Sequence, residues 1–230
     1  MKCVRRGAAA VAMGLVVVVV GALVQLTMVS ASAAGQKNPV ILVHGLFGSP
    51  SNWNQVTASL KQAGYTDDEL YTFGYNSTYQ SNVTTAEKLA AKVDKVLAAT
   101  GASEVDIVGH SMGSLNSRYC IKYDDCAGKV DDWVSLAGPN NGTTNAGLCF
   151  WQVTCREMKV GSAFITKLNA GATLPGDVDG TVIWSRSDGV VTPASSSVLE
   201  GVDNIEVPGV SHLGMLRDDK VAALVAEALA

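Results

Sequence analysis

The stretch "EVDIVGHSMG", Glu104 to Gly113, carries an apolar strand pattern directly into Gly-His-Ser-Met-Gly. Val105, Ile107 and Val108 read as a buried strand, and the following "HSMGSLNSRYCIKY" (110–123) reads as a helix. Gly109 and Gly113 allow a sharp turn between the two, and such a turn holds the Ser111 hydroxyl clear of the backbone at the carboxyl edge of a sheet. The five-residue pattern alone is weak in a chain rich in Gly and Ser. The strand before it and the helix after it make it specific.

The same alternation extends in both directions. "PVILVHG" (39–45), "ELYTFGY" (69–75), "KVDDWVSLAG" (129–138), "GTVIWSR" (180–186) and "NIEVPGV" (204–210) are five further strands. Helices are expected over "NWNQVTASLKQAG" (52–64) and "TTAEKLAAKVDKVLAATG" (84–101), the second with Leu89, Val93, Val96 and Leu97 on one face and Gly101 past its end. A last helix, "RDDKVAALVAEALA" (217–230), is capped by Asp218 or Asp219. Short strands alternating with helices predict an α/β fold: a roughly six-stranded, mostly parallel sheet with helices on both faces and right-handed crossovers. Residues 138–176, rich in Gly, Asn and Thr, break the alternation, and neither an internal repeat nor an interdomain linker is visible.

Residues 1–34 read as a signal peptide. Lys2, Arg5 and Arg6 precede the apolar run "VAMGLVVVVVGALVQLTMV", and "SASAAG" supplies small residues for cleavage. The run is also long enough to serve as an uncleaved anchor. The folded domain is then 35–230, exported and extracellular. Removing three of the 17 basic residues with the signal leaves 14 against 21 acidic ones, a net charge of −7, which argues against nucleic-acid binding. Four of the five cysteines remain, and an even number in an exported chain favours disulfides over a metal site or a catalytic thiol. Of the three pairings possible, the local ones are favoured, Cys120–Cys126 and Cys149–Cys155, each contributing about 2 kcal/mol in the chain-entropy model.

An alcohol is a poor nucleophile at neutral pH, so Ser111 needs a base oriented by a carboxylate. Only His44, His110 and His212 exist. His110 adjoins Ser111 and is aimed elsewhere, and His44 precedes the glycine that ends the first strand. The chain order Ser, Asp, His selects His212 in "VSHLG" and Asp188 in "WSRSDGVVTP", each following a strand. Taken singly, a histidine after a strand is usually a surface residue and Asp-Gly usually a turn; their order and placement together make the case. Oxyanion donors are expected at the Met112 N–H and, from "HGLFGS", at the Leu46 N–H with Phe47 as its neighbouring candidate. No metal and no cofactor is expected, and "GDVDG" (176–180), a fragment of a calcium-loop pattern, is read as a turn.

Together "PVILVHGLFGS", "VDIVGHSMG", "SDGVVTP" and "VSHLGML" resemble the small secreted bacterial lipases of the α/β-hydrolase superfamily, the class 2 lipases, including the compact lipase A type of Bacillus and its actinomycete relatives. The resemblance covers residue 38 to the C-terminus. It implies a minimal α/β-hydrolase fold and hydrolysis of acyl esters with Ser111, Asp188 and His212 as triad. Its partner would be a lipid ester, met at a lipid–water interface, and the protein would be a monomer. Short-chain carboxylesterase and cutinase-like polyesterase activities share the same triad, and a non-catalytic exported binding protein on a hydrolase scaffold is the reading from another class. The 138–176 insertion departs from the Bacillus type. Within it "LCFWQVTC" (148–155) places Phe150 and Trp151 on a cysteine-fastened loop, either as an acyl-binding wall with Phe47 near the site, as a patch for a lipid surface, or as a cap over the core. No long lid is apparent, since "NSTYQSNVTT" (76–85) is short and polar.

Overall fold

A computed structural model describes residues 37–230; the expected signal peptide lies outside the described residues. Six strands form one sheet in the order β2-β1-β3-β4-β5-β6: β1 Val40–Val43, β2 Leu70–Phe73, β3 Val105–His110, β4 Val130–Leu136, β5 Asp179–Trp184 and β6 Asp203–Glu206. Every pairing is parallel, so the sheet is parallel throughout. Alternation along the strands divides the core in two. Val40 and Leu42 join Val108, Val134 and Ile183 on one face, while Ile41 and Val43 join Ile107, Trp133 and Val182 on the other.

The first face is covered by α1 (Asn54–Gln62) and α6 (Asp219–Ala228), and the second by α2 (Asn82–Thr100) and α3 (Met112–Tyr123). This division follows from chain direction. The path runs outward from β1 to β2 and then reverses past β1 to β3, so right-handed crossovers place α1 on one face and α2 and α3 on the other. The reversal opens a crevice beyond the carboxyl ends of β1 and β3, where doubly wound folds bind ligands.

The elements match the expected ones with shifted ends. The last strand stops at Glu206, before Pro208, which has no N–H for the ladder. β3 continues through His110, and α2 begins at Asn82, where the Ser81 hydroxyl accepts the Thr84 N–H. Gly101 ends that helix at φ 74°, and Asp218 caps α6 by accepting the Lys220 and Val221 N–H groups. The stretch 138–176 is more regular than expected. It contains a 3-10 turn (Thr144–Cys149) and two short helices, α4 (Val153–Met158) and α5 (Ala163–Leu168). Six residues are too few to show a helical period, and it is burial of Phe164, Ile165 and Leu168 against the core that fixes α5. Glu157 of α4 also docks on α2, its Oε2 accepting the Asn82 N–H and Nδ2–H at 2.7 and 2.9 Å.

Both disulfides pair as expected, with Cα–Cα distances of 5.3 Å for Cys120–Cys126 and 5.7 Å for Cys149–Cys155. Residues Gly176 and Asp177 form a turn, and Asp179 and Gly180 open β5. At the amino ends of the strands Asp106, Asp131 and Asp132 lie together, and Asp106 is buried with Oδ1 accepting the Asn38 Nδ2–H at 3.2 Å and the Asp132 N–H at 3.3 Å.

Candidate active site

Ser111 joins β3 to α3 with φ 55° and ψ −126°, a region that non-glycine residues seldom occupy. Its neighbours enforce the conformation. The Ser111 N–H donates to the Leu136 carbonyl at 2.9 Å, and the Ser114 hydroxyl donates back to the Gly109 carbonyl at 2.9 Å. A Cβ at position 113 would lie 2.1 Å from the Val43 carbonyl oxygen, and one at position 109 would lie 2.6 Å from the Ser114 nitrogen. Glycine is therefore needed at both positions for close backbone approach.

The loop after β1 passes equally near. A Cβ at Gly45 would meet the Ser111 Cβ at 2.8 Å. This loop is braced by His44, which is buried and stacked on Tyr75 with ring centroids 4.3 Å apart. The Tyr75 hydroxyl donates to the His44 carbonyl at 2.6 Å and accepts the Asn116 Nδ2–H at 3.0 Å, while His44 Nδ1–H donates to the Gly45 carbonyl at 2.9 Å. Burial lowers the His44 pKa, only partly opposed by that hydrogen bond, so the ring is a neutral brace. The N–H groups of Leu46, Phe47 and Met112 have no protein acceptor among the described residues, and Met112 is the first residue of α3. Sequence reasoning missed Tyr75 and Asn116; the one available signal was that Tyr75 falls just past a strand's carboxyl end.

Asp188 and His212 arrive on the loops after β5 and β6. Asp188 Oδ1 accepts the Val190 and Val191 N–H groups at 2.8 and 2.9 Å, and Oδ2 accepts His212 Nδ1–H at 2.7 Å. Burial alone would raise the Asp188 pKa, but the His212 hydrogen bond, the His212 charge and the two backbone donors outweigh it, so the carboxyl sits below the usual range. His212 and Ser111 line one cleft of about 590 Å³ at the β1–β3 crevice, although no hydrogen bond joins them among the described residues. Such contacts are often long before substrate binds.

The cleft wall is mainly apolar, with Leu46, Phe47, Leu148, Met158, Val190 and Leu213 around the polar groups. Phe150 and Trp151 do not line it. They pack edge to face with centroids 5.5 Å apart and stand 67% and 65% exposed, while Arg156 Nη1 donates to both of their carbonyls. The expected acyl wall is therefore not formed by Phe150 and Trp151, and the alternative of a cap over the core fails on exposure. A larger groove of about 800 Å³ lies at the opposite sheet edge beside Asp131, Asp132, Asp179, Asp203 and Glu227. It is polar and shares no lining residue with the cleft that holds Ser111.

The family model described as Lipase (class 2) matches residues 37–228. A triacylglycerol lipase of Burkholderia plantarii is 37% identical over 128 residues, 50% of this chain and 36% of that protein. One of Pseudarthrobacter phenanthrenivorans is 39% identical over 92 residues, 37% of this chain and 28% of that protein. The aligned part of the chain thus spans only about a third of these curated relatives. Among solved structures, the mature form of the Bacillus licheniformis lipase BlEst2 superposes with a TM-score of 0.73 at 17% identity, over 84% of this chain and 92% of that one. Aspergillus fumigatus lipase B gives 0.71 at 22% identity, over 84% and 52%. At such identities the likeness speaks for an α/β-hydrolase fold alone.

Proposed function

The chain belongs to the class 2 lipases, and from that membership we propose that it is a secreted serine esterase or lipase, hydrolysing triacylglycerol or other lipid esters through an acyl-enzyme on Ser111. The observation that carries the reading is the Asp188–His212 pair at 2.7 Å opening on the cleft that also holds Ser111 in a strained elbow. His212 Nε2 takes the Ser111 proton as Oγ attacks the ester carbonyl, and Asp188 stabilises the resulting imidazolium. The N–H groups of Leu46 and Met112 receive the developing oxyanion, and their lack of other acceptors supports that role. His212 then protonates the leaving alcohol. Water, deprotonated by the same ring, attacks the acyl-enzyme and releases the acid.

An apolar cleft wall favours an acyl chain over a polar substrate. Phe150 and Trp151 on the cysteine-fastened loop and Leu148 just before it, all exposed beside the mouth, favour a substrate presented at a lipid surface. Export agrees with the two disulfides. The test is hydrolysis of p-nitrophenyl esters from acetate to palmitate beside Ser111→Ala. Turnover lost in the variant, with preference for medium or long chains, supports the lipase. Activity confined to acetate and butyrate makes the protein a short-chain carboxylesterase, and turnover that survives Ser111→Ala defeats the mechanism.

A further inference from the structure

His110 takes no part in the proton transfers above, yet it is 4% exposed, adjoins Ser111 and lines the same cleft. Its Nε2–H donates to the His212 main-chain carbonyl at 3.0 Å, and the two rings lie 4.7 Å apart at 47°. A carbonyl can only accept, so Nε2 carries the proton. Among the described residues this carbonyl has no other donor, whereas the flanking Ser211 and Leu213 carbonyls are taken by the Met215 and Leu216 N–H groups of the same turn. Burial, reinforced by the nearby His212 charge, holds the His110 pKa down at about 3, so the ring remains a neutral donor through the working range.

Two residues therefore hold His212 from different sides. Asp188 fixes its ring through Nδ1, and His110 fixes its main chain. The second tether starts one residue from Ser111 and spans 102 positions of sequence to the base. We propose that His110 is a positioning residue that sets the separation between His212 and Ser111. The inference rests on the triad reading. It differs from a packing role because what matters is the N–H donor: a side chain that fills the space without donating leaves the His212 loop free to drift, and displacement of about 1 Å at a reacting group costs on the order of 100-fold in rate.

The experiment compares His110→Leu and His110→Gln on soluble p-nitrophenyl butyrate, with kcat referred to sites titrated by a fluorophosphonate and Ser111→Ala run alongside. The leucine variant should lose roughly 10- to 100-fold in kcat with KM within about twofold. Glutamine, whose amide N–H can take the place of Nε2–H, should recover kcat to within about threefold of the parent. Should the leucine variant fail to fold, His110→Asn, whose amide falls short of the carbonyl, replaces it. Equal losses in the donor and non-donor variants, no loss in either, or a loss confined to KM would overturn the proposal while the Ser111 dependence stood. Activity that persists in Ser111→Ala would remove the triad reading and this inference together.

Discussion

Replacing Asp188 by Asn should abolish nearly all turnover without disturbing the fold, because the amide has only one way to sit. Oδ1 accepts two backbone N–H groups, from Val190 and Val191, and an NH2 group there would face two donors. The amide oxygen therefore takes the Oδ1 position and the NH2 takes that of Oδ2, 2.7 Å from His212 Nδ1. A donor facing Nδ1 makes that nitrogen the acceptor, which moves the ring proton to Nε2 and leaves no lone pair toward Ser111. The variant also lacks the negative charge that stabilises the imidazolium. Wrong-tautomer triads of this kind lose about 10⁴-fold in kcat, or about 5.5 kcal/mol of barrier. KM should stay within about twofold, since Asp188 has no place against substrate, and the melting temperature should fall only a few degrees because the two backbone hydrogen bonds survive. Steady-state hydrolysis of p-nitrophenyl butyrate with calorimetry on the same preparations gives both readings. A kcat loss below about tenfold, or one expressed wholly in KM, would refute the account of Asp188 and His212.

Trp151→Ala combined with Phe150→Ser should lower hydrolysis of an emulsified long-chain triacylglycerol at least about fivefold and leave soluble p-nitrophenyl butyrate within about twofold, since both aromatics stand outside the cleft; equal losses on the two substrates would refute a surface-docking role. Asp106→Asn should stabilise the protein by on the order of 2 kcal/mol at pH 8 and by nothing measurable at pH 3, followed as urea midpoints. Burial first, then the charges of Asp132 and Asp131, hold the Asp106 carboxyl up to about 7, against the pull of the Asn38 hydrogen bond. Its contribution is thus fully present below about pH 4, the unfolded value, and is lost as pH rises through about 7, whereas the amide keeps the oxygen acceptor at every pH. Identical shifts at both pH values would show that folding does not raise the Asp106 pKa and would refute the prediction.

Ser111 was legible because everything that defines its turn is local: the apolar strand, two glycines and the helix are contiguous from 105 to 123. Asp188 and His212 followed from chain order and from strand ends, and the sheet brings them within hydrogen-bonding distance across 24 residues. The direction of the cysteine loop had no such local sign. Leu148 borders the cleft while Phe150 and Trp151 do not, and the loop runs into α4, which docks through Glu157 onto Asn82, a contact 75 residues apart. The buried carboxyl of Asp106 was hidden for a similar reason, since its neighbours Asp131 and Asp132 come from the adjacent strand. The bracing of His44 by Tyr75 and Asn116 likewise joins three elements.

The two halves of the proposed machinery are held by different means. Around the nucleophile, backbone packs on backbone: Gly113 against the Val43 carbonyl, Gly109 against Ser114 and Gly45 against Ser111 leave no room for a Cβ. A residue at φ 55° costs roughly 1–3 kcal/mol and persists only where its surroundings over-determine it, as they do here. The proposed oxyanion donors inherit that rigidity because Leu46 and Met112 flank those contacts on either side. The base and its carboxylate instead depend on side-chain hydrogen bonds from loops: two backbone donors on Asp188, one bond to the His212 ring and one to its carbonyl. Conservative substitution at the glycines should therefore act through folding, by forcing backbone apart. Substitution at Asp188 or His110 should act through rate in a molecule that still folds, which makes the second half the one where function can be dissected separately from stability.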